Sequence, residues 1–146
     1  MKHLSIFLPL FFMILISAAV DVGQAKANTS NLVIHITGFE TSTGVAKVAI
    51  INSKKNFDEE TPFKGFDFEI INNEVLKTIT LPFGEYAIKV YHDENANNEL
   101  DTRIFGIPIE RYGFSNNARG AFGPPEYEAV VFNLNSPEKE IVITIE

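Results

Sequence analysis

The sequence contains no cysteine. That excludes disulfide staples and excludes lipid attachment to a cysteine behind a leader, so rigidity has to come from elsewhere. A bound metal is one route. Histidine is scarce as well. Beyond residue 27 only His35 and His92 remain, too few, without cysteine, to suggest a zinc site. Basic charge is outweighed, with 12 Lys and Arg against 19 Asp and Glu and a net charge of −7. An acidic surface disfavours nucleic acid and anionic lipid. Helical periodicity is almost absent, and no internal repeat or low-complexity segment is found.

What is present begins with a leader. Met1, Lys2 and His3 form a short basic start. Leu4 to Val20 is apolar, broken only by Ser5, Pro9 and Ser17, and Ala25-Lys26-Ala27 offers a small-residue exit. This order reads as a secretory signal peptide over residues 1–27. The run is short for a spanning helix, which needs about 20 residues. Residues 28–146 then form one domain, periplasmic or secreted, with no membrane span after cleavage. Loss of Lys2, Lys26 and Asp21 moves the net charge from −7 to −8.

That domain reads as strands. Leu32, Ile34 and Ile36 alternate with Val33, His35 and Thr37, the period-2 pattern of a half-buried strand. Val45 to Ile51 is apolar on both faces except at Lys47, and a hairpin to the first strand is expected. Ser53 is placed to cap one helical turn with Phe57 inside. Phe66 to Ile70, Glu74 to Leu81 and Tyr86 to Val90 follow as strands. Asn72-Asn73 forms a turn, since Asn tolerates positive φ, and Lys77 marks a bulge or a sheet edge. Tyr127 to Leu134 and Ile141 to Ile145 complete seven. The expectation is an all-β, antiparallel, seven-stranded β-sandwich, with a closed barrel as the alternative. The Leu81-Pro82-Phe83-Gly84-Glu85-Tyr86 entry resembles immunoglobulin-like and prealbumin-like secreted sandwiches, a likeness that implies no activity.

One long loop, His92 to Pro125, separates the fifth and sixth strands. Asp93, Asn95, Asn97 and Asp101 occupy relative positions 1, 3, 5 and 9, the side-chain ligand spacing of an EF-hand-type calcium loop. Glu99 at position 7 would offer its backbone carbonyl. Asn98 stands at position 6, where the pattern takes Gly, and is the best substitute at positive φ. Leu100 is placed to anchor the loop. Position 12 is Ile104 rather than a bidentate Glu, and a strand, not a helix, precedes the loop, so this is no EF-hand domain. Glu110 is the candidate for the missing ligand. The plain alternative is a solvated polar turn. From Gly106 to Pro125 the loop is aromatic and rich in Gly and Pro. Phe105, Ile107, Ile109, Tyr112, Phe114 and Phe122 give it surface to pack, either as a cover over the domain or as a ligand-binding lip. The binding surface is assigned to His92, Tyr112, Phe114, Ser115 and Asn116.

The runs H-D-E-N-A-N-N-E-L-D-T from His92, F-G-I-P-I-E-R-Y-G-F-S-N-N-A from Phe105, and F-G-P-P from Phe122 resemble a bacterial family of small secreted proteins known as domain of unknown function 2141. The likeness covers Leu32 to Glu146. It implies a periplasmic or secreted sandwich and no particular activity. It also groups His92, Asp93, Asn95, Asn97, Asp101, Gly106, Pro108, Glu110, Gly113, Ser115 and Asn116 as one unit. Family members carry Gly at the Asn98 position, where this chain departs.

Catalysis finds little support. His92 and Asp93 leave a strand on opposite faces, so Asp93 is badly placed to orient His92. Ser115 lies in no G-x-S-x-G elbow. A carbohydrate-active or other hydrolase would recruit two of Asp93, Asp101, Glu110 and Glu126, and their separation would decide it. The leading expectation is a secreted β-sandwich without catalytic residues. Its loop is ordered by calcium and presents a surface to an unknown ligand or envelope partner.

Overall fold

The structure, a computed structural model, describes residues 28–146. The signal peptide expected over residues 1–27 lies outside the described residues. The described chain is all-β, with eight strands in two sheets and two short helices. No helix among the described residues is long and apolar enough to cross a membrane.

The first sheet has the order β4-β1-β8. In β1 (Thr29–Thr37) the side chains of Leu32, Ile34 and Ile36 are fully buried, and Val33, His35 and Thr37 are half-buried. β1 lies between two partners, antiparallel to β4 (Val75–Pro82) and parallel to β8 (Glu138–Thr144). Lys77 sits on β4, at the sheet edge, where a long cationic side chain can reach water.

The second sheet has the order β3-β2-β5-β6. Its centre is β2 (Val45–Ile51) and β5 (Gly84–Asp93), with β3 (Lys64–Glu69) beyond β2. The far side of β5 is shared by two short strands. β6 (Tyr112–Phe114) pairs with Lys89–Tyr91, and β7 (Phe132–Leu134) pairs with Gly84–Tyr86. The N–H of Ile88 falls in the gap between them and bonds to Ser115 Oγ at 2.9 Å. Ser115 in turn donates to the carbonyl of Val130 at 2.5 Å. One hydroxyl thus stands in for the missing rung of the ladder.

Several expectations are corrected. β1 and β2 form no hairpin; they belong to different sheets, since alternation marks a strand without naming its partner. The strands number eight, and the β1–β8 pair is parallel. The long loop contains β6. The stretch expected as a strand over Tyr127–Leu134 opens instead as α2 (Tyr127–Val130), and only then becomes β7. The ladder slot it would have used is filled by Ser115, and burial of Tyr127 and Val130 three residues apart suits a helical turn. The turn at Asn72-Asn73 has positive φ at both residues. The cap at Ser53 holds, with its hydroxyl accepting from the Asn56 N–H at the start of α1 (Lys54–Asp58) and Phe57 buried.

A single apolar cluster draws on both sheets, with Leu32, Ile34, Ile36, Val75, Leu81 and Ile143 from one and Ala46, Val48, Ile50, Ile88, Val90 and Leu134 from the other. A smaller cluster of Ile51, Phe57, Ala87, Phe114, Tyr127 and Val130 seals α1 and α2 onto the outer face of the second sheet. The helices cover only part of that face.

Candidate functional site

The end of β5 leads into a loop closed by two buried carboxylates. Asp93 is fully buried, and its Oδ1 and Oδ2 accept the N–H groups of Asn97 (3.0 Å) and Asn98 (2.9 Å). Glu110 is 7% exposed, and its two oxygens accept from the N–H of Glu94 and of Asp101, both at 3.0 Å. Glu110 therefore clasps the two ends of the 94–101 turn. Hydrogen bonds to an ionised acceptor contribute about 1.5–3 kcal/mol each. The turn needs such help, because Ala96 (φ 56°) and Asn98 (φ 68°) are both left-handed. Gly44 packs beneath it. A Cβ at that glycine would lie 2.1 Å from the Asp93 carbonyl oxygen, and its φ is +75°, so only glycine fits there.

Asn95, Asn97 and Asp101 converge on one another. The amide of Asn95 donates to Asp101 Oδ2 at 2.7 Å and that of Asn97 to Asp101 Oδ1 at 3.1 Å. The amide oxygens are turned to backbone, Asn95 Oδ1 to the Asn97 N–H and Asn97 Oδ1 to the Glu99 N–H. Glu99 is exposed. Among the described residues no three His, Cys, Asp or Glu side chains meet as a metal-holding group. The expected ligand set is thus divided by role. Asp93 and Glu110 fasten backbone, while Asn95, Asn97 and Asp101 gather into a small oxygen-rich cluster.

Beside this loop lies a groove of about 410 Å³ on the open face of the second sheet. Strand register explains its floor. Lys47, Tyr91 and Tyr112 are cross-strand neighbours on β2, β5 and β6, and so are Ala49, Lys89 and Phe114. Opposite Ala49 on β3 is Gly65, above which a Cβ would meet nothing within 4 Å. Two small residues side by side leave a hollow. Leu100, Thr102, Gly106 and Pro108 of the clasped loop form one wall, and Pro62 and Pro124 stand on others. The loop is tied to this sheet by Lys47, which donates to Asp67 Oδ2 at 2.7 Å and to Asn98 Oδ1.

The cations of the groove differ. Lys47 is paired with Asp67. Lys89 makes no ion pair among the described residues; its Nζ donates to the Phe57 carbonyl at 3.1 Å and lies 3.9 Å from the centre of the Phe57 ring. Burial lowers the Lys89 pKa, against the opposing pull of Glu60 and Asp58. Burial likewise raises that of Tyr91, helped by the nearby Asp93 and Glu110 charges.

The residues assigned to a binding surface separate. Tyr112 and Phe114 line the groove. His92 is fully buried on the core side, edge-on to Phe39, with Nε2 2.7 Å from the Thr43 carbonyl. A carbonyl only accepts, so Nε2 carries the hydrogen. Its Nδ1 lies 3.4 Å from Glu94 Oε1, yet the geometry makes no hydrogen bond between them. Ser115 is buried in the ladder gap, so neither it nor His92 belongs to the surface. Asn116 is exposed and donates to the carbonyls of Ala129 and Val131. Glu126 precedes α2 at its N-cap position, makes no side-chain capping bond and is exposed. Gly113 lies against Ile143 and Ile145. Phe105, Ile107, Ile109 and Phe122, counted on to pack, stand in solvent instead, as does Ile104.

A family model described as "Uncharacterized protein conserved in bacteria (DUF2141)" matches residues 34–142. The chain belongs to this family. The DUF2141 match runs from β1 into β8 and takes in the clasped loop and every strand of the groove floor. No curated protein and no solved structure is matched by the chain.

Sequence reading missed Lys47, Ala49, Gly65, Lys89 and Tyr91. A signal was present for the first: Lys47 interrupts a strand otherwise apolar on both faces. Chemically the arrangement is suited to holding a ligand. The carboxylates of Asp93, Asp101 and Glu110 each accept two N–H bonds, and Ser115 Oγ is spent on the backbone, so these groups serve as braces.

Proposed function

We propose that the chain is an exported, non-catalytic binding protein, a β-sandwich of the immunoglobulin-like or prealbumin-like kind. In it a calcium-ordered loop presents a ligand groove. The groove carries this reading, because a concave, mostly apolar hollow of this size is the usual form of a small-ligand site. The apolar cluster shared by two sheets supports the sandwich. The leader over residues 1–27 supports export, and a periplasmic preparation is expected to yield a mass starting at Asn28.

Calcium is supported by the convergence of Asn95, Asn97 and Asp101 at the spacing that calcium loops use. These three would offer side-chain oxygens and Glu99 its carbonyl, with Asp93 and Glu110 holding the surrounding backbone. The two amides would have to turn their oxygens inward and give up their bonds to the Asn97 and Glu99 N–H groups. That cost puts the affinity in the weak range of extracellular modules, on the order of 10⁻⁴–10⁻³ M.

Thermal melting tests it. Calcium at about 10 mM should stabilise the full chain by about 1–3 kcal/mol, and Asp101→Ala should remove the gain. An unchanged Tm would take calcium out of the reading and leave the groove to be tested separately.

A further inference from the structure

The groove has a chemical preference written into its floor. Its walls offer few polar partners. Three of the lining residues, Pro62, Pro108 and Pro124, have no N–H to give. Ala49, Ile51 and Phe114 supply an apolar bed. Against this background one cation has no ion-pair partner among the described residues. Lys89 sits in the middle of the floor, between Ala49 and Phe114 in the register. Its ammonium spends one donor on the Phe57 carbonyl. The other lysine, Lys47, already has Asp67. The one acidic side chain in the lining is Glu60, on the segment between α1 and β3.

We infer that the groove takes a small amphiphilic anion, a carboxylate with an apolar body, whose acid group pairs with Lys89 and whose body lies over Ala49 and Phe114. The inference rests on the groove being the binding site and adds the chemical class of the ligand. Charge complementarity selects it. A neutral apolar molecule would desolvate the Lys89 ammonium further and bring it no contacting counter-charge, since Glu60 and Asp58 act on it without forming an ion pair. A sugar would bring many hydroxyls to walls that offer few partners. A carboxylate meets both demands, and in a half-dry hollow a charge-assisted bond is stronger than in water. Burial of the lysine, which by itself disfavours the charged form, makes the pairing more favourable still.

The test is a titration of the full chain, followed by two-dimensional NMR of backbone amides, with three probes: octanoate, octanamide and maltose. Four proteins are compared: the native chain, Lys89→Met, Lys89→Arg and Ala49→Phe. Lys89→Met keeps the length and loses the charge. Lys89→Arg keeps the charge. Ala49→Phe points away from the shared core and fills the hollow.

Octanoate is expected to shift amides of β5 and β6 around Lys89 and Phe114 and to bind at least tenfold tighter than octanamide. Lys89→Met should erase that difference, Lys89→Arg should keep most of it, and Ala49→Phe should abolish binding of both. Equal binding of octanoate and octanamide, abolished by Ala49→Phe, would overturn the anion preference and leave the groove standing. Tighter binding of maltose than of octanoate would overturn the ligand class. Shifts that ignore Ala49→Phe, or no shifts with any probe, would overturn the inference together with the groove reading. Should Lys89→Met fail to fold, the octanoate-to-octanamide ratio in the native chain still decides.

Discussion

The segment between β5 and β7 has two halves, held in place by different physics. From Glu94 to Glu110 order is mainly local, with one tie to the sheet from Lys47 to Asn98 Oδ1. Two carboxylates take four backbone N–H groups within the loop's own span, and the apolar residues at the tip, Phe105 above all, are bare. From Arg111 to Glu126 order is borrowed from distant chain. β6 adds to β5, Ser115 fills a ladder gap, and Asn117 Oδ1 accepts the Thr144 N–H at 2.8 Å. Arg119 reaches the Thr144 carbonyl and Glu146. A segment ordered by its own caps can open alone, whereas one ordered by the sheet opens only with the sheet.

The largest expected effect lies in the second half. Ser115→Ala strands the Ile88 N–H and the Val130 carbonyl in a buried place. It should cost about 2–3 kcal/mol, read as a lower urea midpoint for the whole domain. A loss under about 0.5 kcal/mol would break the comparison, since the hydroxyl would then not be part of the global ladder.

Glu110→Gln should behave in the opposite way. An amide cannot accept both N–H bonds, and its NH₂ would face a donor. The loop should lose about 1.5–3 kcal/mol of local stability, so amide exchange over Glu94–Asp101 should speed up about tenfold or more. The urea midpoint should hardly move. If it falls as far as for Ser115→Ala, the clasp belongs to the global fold and the two halves are one unit.

The smallest effect concerns Lys89, where the wall built by the first half meets the floor that β6 completes. Burial lowers its folded pKa below 10.5. The stability cost of this lysine is therefore in full force at neutral pH, and it is relieved as pH rises from the folded value toward 10.5. Tyr86, Tyr91 and Tyr127, raised above 10.0 by burial, act the other way. Their contribution falls as pH climbs past 10, because the unfolded chain ionises first. Denaturant titrations of the native chain and of Lys89→Met between pH 8 and 10.5 isolate the lysine. The native chain should gain relative to the variant by roughly half a kcal/mol or less, given how far Lys89 stays exposed. A difference that stays flat with pH would show that the ammonium is not desolvated in the hollow.

Much of this was legible where the cause is local. The alternation of Leu32, Ile34 and Ile36, the cap at Ser53, the left-handed pair Asn72-Asn73 and the left-handed Asn98 each follow from one residue and its neighbours. The groove was not legible, because it exists only through register. Lys47, Tyr91 and Tyr112 become a row, and Gly65 beside Ala49 becomes a hollow, only once three strand pairings are fixed. The loop carboxylates illustrate a second limit. Spacing brought Asp93, Asn95, Asn97 and Asp101 to notice together, but spacing does not say whether a carboxylate faces a cation or the backbone N–H groups of its own turn. Asp93 and Glu110 face the backbone. The strand expected at Tyr127 failed for a similar reason, since its slot beside β5 had already been taken by a serine.

The parallel pairing of β1 with β8 has a consequence in time. β1 is the middle strand of its sheet and the first of the described strands to be made, and β8 is the last of them. Until β8 arrives, β1 has one bare edge, and a bare strand edge is where chains stick to one another. The second sheet, with the groove floor, can pair first from segments nearer in sequence. The sheet without the groove is then the late step, and chains interrupted before Glu138 should accumulate as aggregates that have the groove sheet but cannot close the core behind it.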